Sequence, residues 1–157
     1  MELTRITKKF EELTPHELYQ ILRLRSEIFV VEQNCVYLDA DNKDQESYHF
    51  MGYQGGELVA YTRLLPPGVS YECASIGRVV TSSSVRGKGI GKLLMERSIS
   101  EVFRLFGEGR IRIGAQYHLK AFYNSLGFEQ SSNIYDEDGI DHIQMDLEPG
   151  NRKNTKY

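Results

Sequence analysis

The feature that most constrains this chain is Val85-Arg86-Gly87-Lys88-Gly89-Ile90-Gly91-Lys92. It sits between a β-type run, Ala74–Thr81, and an apolar-periodic stretch that begins at Ile90. Three glycines at alternate positions permit a tight turn and leave backbone N–H groups uncovered. The helix that follows adds its own unpaired N–H groups and the positive end of its dipole. Such a strand–turn–helix unit is a cradle for phosphate. Arg86 and Lys88 bring charge suited to a pyrophosphate.

Two common phosphate motifs do not fit. A Walker A loop needs four residues between its first Gly and the Gly-Lys pair, then Ser or Thr. Here three residues separate Gly87 from Gly91, and Leu93 follows Lys92. A dinucleotide fingerprint needs a third Gly where this chain has Lys92 or Leu94. What remains is Arg86-x-x-Gly89-x-Gly91, which resembles the acyl-CoA pyrophosphate loop of the GNAT N-acetyltransferases. Without that resemblance it reads as a glycine-rich turn capping a helix.

The length of 157 residues suits one domain with its own core. We expect a single domain over 1–148 and a polar, frayed tail over 149–157. A net charge of −3 argues against a nucleic-acid footprint. No apolar run approaches membrane-spanning length, and Met1-Glu2-Leu3-Thr4-Arg5 is not a signal peptide. Cys35 and Cys73 lack metal or redox spacing. These features together lead us to expect a cytoplasmic protein without a metal.

The elements follow from periodicity. Leu3–Phe10 reads as a strand. Thr14-Pro15-His16-Glu17 opens a helix with Thr14 as N-cap, Pro15 at N1 and Glu17 closing a capping box. Leu18, Ile21, Leu22, Ile28 and Phe29 then recur at helical spacing, and Arg25 falls on the same inward stripe. Tyr48–Gln54 and Leu58–Leu65 read as a hairpin across Gly55-Gly56. Tyr71–Thr81 is the next strand. Ile90, Leu94, Ile99, Val102, Phe103 and Phe106 mark a long helix, stopped at Gly107 or Gly109. Arg110–Ala115 alternates as a strand. Leu119–Leu126 is a short helix capped by Gly127, and His142–Leu147 is the last strand.

This order predicts an α/β fold with a mixed sheet and helices on both faces. The resemblance to the GNAT family now covers nearly the whole chain. Gln116…Ala121-Phe122-Tyr123…Gly127-Phe128 looks like a family segment, although many relatives have Asn at the place of Gln116. Phe29–Cys35, Ile76–Val80, Gly114–Gln116 and Asp138–Ile143 are similar to the ElaA-like branch. The resemblance implies an acyl-CoA N-acyltransferase fold, with a mostly antiparallel sheet and two splayed parallel strands. It implies transfer of an acetyl group from acetyl-CoA to a primary amine of a small molecule or peptide. Val79, Val80 and Thr81 would pair with the pantetheine arm. Arg86, Gly87, Lys88, Gly89, Ile90, Gly91 and Lys92 would hold the pyrophosphate, with Gln116 and Tyr123 also against the cofactor.

An alkylamine of pKa about 10.4 is mostly protonated at neutral pH, so transfer needs a base, and the departing thiolate gains from an acid. By resemblance the acid is Tyr123; read structurally it is a core tyrosine whose hydroxyl must find a partner. Glu32 is the first candidate for the base, His142 its rival and His49 a third. Arg25 and Arg78 either touch the acceptor or close buried ion pairs, and Glu32 is one available partner for Arg25. The acidic loops Leu38–Glu46 and Tyr135–Asp141 either steer a cationic acceptor or are solvated surface. No nucleic-acid or membrane partner is expected, and a homodimer is compatible with the chain. Three other functions stay open: a non-catalytic acyl-CoA binding or sensing module, an acyl-homoserine-lactone synthase, and an acyl-enzyme on Cys35.

Overall fold

A computed structural model describes residues 3–153. Its order is β1 (Thr4–Lys9), α1 (Pro15–Arg25), β2 (Tyr48–Gln54), β3 (Glu57–Leu65), β4 (Ala74–Thr81), α2 (Ile90–Phe106), β5 (Ile111–Gln116), α3 (Lys120–Asn124), β6 (Glu129–Gln130), β7 (Tyr135–Glu137) and β8 (Ile140–Leu147). The strands form one sheet in the order β1-β2-β3-β4-β5-β8-β6, with β7 paired to β8. Every pairing is antiparallel except β4 with β5. This is the mixed, mostly antiparallel α/β sheet expected from the sequence.

The alternation of side chains across the sheet supplies two cores. Phe50, Val59, Leu64 and Ile76 join Ile90, Leu94, Met95, Ile99 and Val102 of α2 on one face, together with Tyr123 and Leu126. Met51, Leu58, Tyr61 and Val80 join Ile21, Leu24 and Ile28 on the other. Adjacent Phe50 and Met51 therefore serve opposite faces, as strand geometry requires. Covering both faces explains why β3 is buried over all but its first residue.

The N-terminus of α1 forms as its sequence dictates. The Thr14 side chain accepts from the Glu17 N–H at 3.1 Å, and Glu17 accepts from the Thr14 N–H at 2.9 Å. Its C-terminal end was not foreseen. The helix widens into a π-helical segment, Ser26–Glu32, where Gln33 N–H reaches Ile28 C=O at 3.1 Å. β7 was also missed; Tyr135–Glu137 pairs with Ile140–His142 across Asp138-Gly139 rather than forming only a turn.

Residues 149–153 depart from the frayed tail expected of them. Pro149–Asn151 forms a short 3₁₀ turn, and Lys153 N–H donates to Leu126 C=O at 3.3 Å. Gly127, at φ +106°, lies against this turn, where a Cβ would collide with the Asn151 carbonyl. The rest of the expected tail, 154–157, lies outside the described residues. Among the described residues no helix is long and apolar enough to cross a membrane.

Candidate active site

The site arises where β4 and β5 part company. They pair only at Ala74↔Ile111 and Ser75↔Arg112. Beyond Ser75 the edge of β4 that faces β5 is unpaired. A bulge contributes to this divergence: Tyr61 pairs with Val80 and Arg63 with Gly77, leaving Arg78 and Val79 opposite the single residue Thr62. Bulges bend a strand and increase its twist. Arg78 takes φ +51°, a left-handed conformation that costs a non-glycine residue about 1–2 kcal/mol.

Ion pairs hold that conformation in place. Arg78 Nε donates to Asp39 Oδ1 at 2.8 Å, and its Nη2 donates to the Asp39 carbonyl at 2.9 Å. Asp39 also accepts from Arg25 Nε at 2.8 Å, while Arg25 Nη1 donates to Asp44 at 2.8 Å. Arg63 bonds Asp41 through both terminal nitrogens, at 2.7 and 2.8 Å, and Asp44 at 2.9 Å. Arg25, Arg63 and Arg78 thus meet Asp39, Asp41 and Asp44 in one closed network. Burial works against the charged forms of Asp41 and Asp44. The bonds from Arg63 to Asp41 and from Arg25 to Asp44 outweigh it and hold both carboxyls below the usual range.

Two sequence expectations are corrected here. Arg25 is fully buried and pairs with Asp39 and Asp44, not with Glu32. The Leu38–Glu46 loop is not a free steering surface, because three of its carboxylates are counterions of buried or half-buried arginines. The signal in the sequence was the inward Arg25 together with Arg63 in a strand; both required acids, and the nearest run of acids was this loop.

The opening between β4 and β5 is a cavity of about 450 Å³. Val79, Gly114, Gln116, Tyr123 and His142 line it, and Arg78 borders it with its guanidinium already engaged. Val80 instead packs into the core beneath α1, and Thr81 closes β4 opposite Ala60. Gln116 lies opposite His142 in the β5–β8 register, and its amide donates to Gln33 Oε1 at 3.3 Å. Tyr123 is 7% exposed, and its hydroxyl makes no hydrogen bond among the described residues. The expected protein partner is not found among the described residues, and Tyr123 borders the cavity instead. Burial pushes its pKa up to about 12.

The three base candidates lie in different surroundings. His142 is nearly buried on the cavity wall. Its Nδ1 lies 2.8 Å from the Ile140 carbonyl, which can only accept. Nδ1 can donate to that carbonyl, and Nε2 lies 3.3 Å from Glu137 Oε2, a carboxylate able to accept from the ring when it is protonated. His49 is fully buried elsewhere, bound to the Tyr61 hydroxyl at 2.7 Å and the Asp44 carbonyl at 2.9 Å. Glu32 does not line the cavity. It is half-exposed and paired with Arg86, whose hydrogen bonds hold its carboxyl below the usual range.

The glycine loop leads into α2 beside the open end of β4. Gly89, at φ +74°, is the N-cap of α2, and no side chain caps that first turn. Its N–H groups have no intrahelical acceptor. A Cβ built on Gly87 or Gly89 would meet open space, so the loop's outer face is clear of protein atoms.

The acetyltransferase (GNAT) domain family matches residues 23–149. The chain belongs to the GNAT family. Protein ElaA of Escherichia coli (strain K12) is 41% identical over 136 residues, covering 85% of this chain and 89% of ElaA. The crystal structure of Escherichia coli ElaA superposes with a TM-score of 0.87 at 38% identity, over 94% of this chain and 100% of that one. An acyl-CoA N-acyltransferase from Pseudomonas aeruginosa gives 0.89 at 42% identity, over 93% and 99%. The ElaA-like branch and the acyl-CoA N-acyltransferase fold are therefore shown. GNAT membership supports an acyl-CoA-dependent acyltransferase.

Proposed function

We propose that this protein transfers an acetyl group from acetyl-CoA to a primary amine by direct attack, with His142 as general base and Tyr123 as general acid. The observation that carries this reading is the placement of both side chains on the walls of one cavity, in the wedge between β4 and β5. The loop Arg86–Lys92 and the first turn of α2 offer N–H groups and positive charge to the pyrophosphate. The unpaired edge of β4 at Val79, Val80 and Thr81 offers strand-like bonds to an extended pantetheine arm. Gln116 supplies a further polar contact from β5.

The amine nitrogen attacks the thioester carbonyl carbon and its surplus proton passes to His142 Nε2. The imidazolium so formed donates to Glu137, 3.3 Å away. The carbonyl oxygen becomes an oxyanion, which an N–H on the bulged edge of β4 can stabilise. The tetrahedral intermediate collapses, the C–S bond breaks, and the thiolate takes a proton from Tyr123. Burial raises the proton affinity of a thiolate as it does that of the tyrosine, so donor and acceptor are shifted in the same direction. His142 returns its proton to solvent and Tyr123 regains one.

The test is release of free CoA from acetyl-CoA across a panel of primary amines. Acetyl-CoA binding without amine-dependent release by the wild-type protein would replace this reading with the binding or sensing module.

A further inference from the structure

The charges lining the cavity do not all cancel. Arg63 and Arg78 are neutralised within the Asp39–Asp41–Asp44 network. Lys43, half-buried on the same wall, forms no ion pair among the described residues; its ammonium donates to Ser70 Oγ at 3.0 Å. Glu137, also on the lining, has only the ring of His142 as an ion-pair partner among the described residues, and then only when that ring is protonated.

Lys43 is held in position. Asn42 before it takes φ +66°. Asp41 Oδ1 accepts from the Lys43 N–H at 3.1 Å, an Asx-type turn, and the Ser47 hydroxyl donates to the Lys43 carbonyl at 2.7 Å. Asp41 is in turn clamped by Arg63, so the turn is tied to β3. Arg63 is 3% exposed, and its Nε–H has no hydrogen-bond partner among the described residues. Tyr71, also on the lining, sets its hydroxyl 3.5 Å from where a Cβ on Gly114 would lie, and that hydroxyl makes no hydrogen bond among the described residues. The cavity lining therefore carries a cation in no ion pair among the described residues, the carboxylates Glu137 and Asp138, and the imidazole of His142 beside Glu137.

We propose that the acceptor is zwitterionic: an amino acid, or a like compound with a carboxylate remote from its reactive amine. Lys43, with Ser70, holds the carboxylate while the amine lies at His142 and Glu137. This rests on the amine-acetylation reading above and adds the anionic group to it. Lys43 selects the substrate and takes no part in the chemistry.

The experiment compares ω-amino acids from β-alanine to 6-aminohexanoate with the alkylamines that lack the carboxylate, in wild type, Lys43→Met and Lys43→Arg. The wild type is expected to favour its best amino acid over the matching alkylamine by about tenfold or more in kcat/KM, the size of one charge-assisted hydrogen bond. Lys43→Met brings the two to parity while sparing the alkylamine, and Lys43→Arg restores part of the preference. No preference in the wild type, or equal losses on both substrates in Lys43→Met, overturns the proposal. Calorimetry with N-acetyl-6-aminohexanoate separates the two readings should neither substrate class be acetylated. Binding by wild type but not by Lys43→Met upholds the anion site and overturns the amine-acetylation reading instead. Equal binding by both, or by neither, overturns the anion site.

Discussion

Glu32 and Arg86 face each other in a two-bonded ion pair that ties the π-helical turn after α1 to the glycine loop before α2. Arg86 Nη1 donates to Glu32 Oε1 at 2.6 Å, and Nη2 bonds Oε2. The carboxylate that the sequence offered as a base thus occupies the guanidinium expected to meet a pyrophosphate. Removing the carboxylate frees that guanidinium. Glu32→Gln should bind acetyl-CoA as tightly as wild type or more tightly, with kcat within about twofold, whereas His142→Gln should lose roughly a hundredfold, as loss of a general base does. Steady-state kinetics on both variants decides; a large kcat loss in Glu32→Gln alone would return the base to Glu32.

Gly89, like Gly87, holds the loop in a left-handed conformation that side chains disfavour. Its φ of +74° disfavours a β-branched residue, and the space beside it is reserved for a ligand under the proposed binding mode. Gly89→Val should weaken acetyl-CoA binding by about tenfold or more. Unchanged affinity by calorimetry would move the pyrophosphate elsewhere.

Tyr123→Phe keeps the ring that packs against Phe122 and Phe128 and removes only the hydroxyl. kcat should fall by about a hundredfold with acetyl-CoA affinity kept. The acid form is the active one, and burial pushes its pKa up to about 12. Tyr123 should therefore stay protonated and impose no loss of kcat near pH 10, where an ordinary tyrosine titrates. A descending kcat limb near pH 10 that disappears in Tyr123→Phe would contradict the assignment.

The buried ion network predicts a specific kind of instability. Arg25→Met leaves Asp39 and Asp44 short of a counterion and should cost about 3–5 kcal/mol in denaturant unfolding. Asp41 and Asp44 titrate lower in the folded chain than in the unfolded one. Their contribution is complete above an unfolded pKa of about 3.9 and is lost as pH falls from there toward the folded values. Stability of the wild type should drop through that window. Asp44→Asn should be less stable at neutral pH and show a shallower acid slope; parallel slopes for the two proteins would refute the assignment.

Were the acidic loops to steer a cationic acceptor, neutralising their carboxylates together would flatten the salt dependence of kcat/KM. Asp39 and Asp41 now stand in the ion network, so changing them to Asn should unfold the chain rather than report on steering. Asp136 and Asp138 remain at the surface beside Gly139, where the Asp136 carboxylate accepts from the Gly139 N–H at 3.3 Å. Asp136→Asn with Asp138→Asn should leave the thermal midpoint close to wild type, while Asp39→Asn alone should lower it by several degrees. Thermal melts compare the two directly.

Much of this protein was legible in its local sequence, because local rules fix local structure. The Thr14–Glu17 box, the stop at Gly107, the cap at Gly127 and the apolar stripe of α2 need only neighbours a few residues away, and each stands where periodicity put it. The family followed from short segments in order, since the loop before α2 and the Tyr123 segment keep fixed distances from their helices. Three features were decided by tertiary structure. The widening of α1 over 26–32 is not marked by any single residue. The counterions of Arg25 lie 14 and 19 residues away, and sequence could state the need for them without saying which acids meet it. The proposed preference for His142 over Glu32 is spatial too: both are ionisable residues beside apolar runs, yet β8 carries His142 to the cavity wall opposite Gln116, while the turn after α1 carries Glu32 outward to Arg86. Burial and partner depend on how distant strands pair, and that pairing comes from packing the whole sheet against its two layers of helices rather than from any stretch of residues within it.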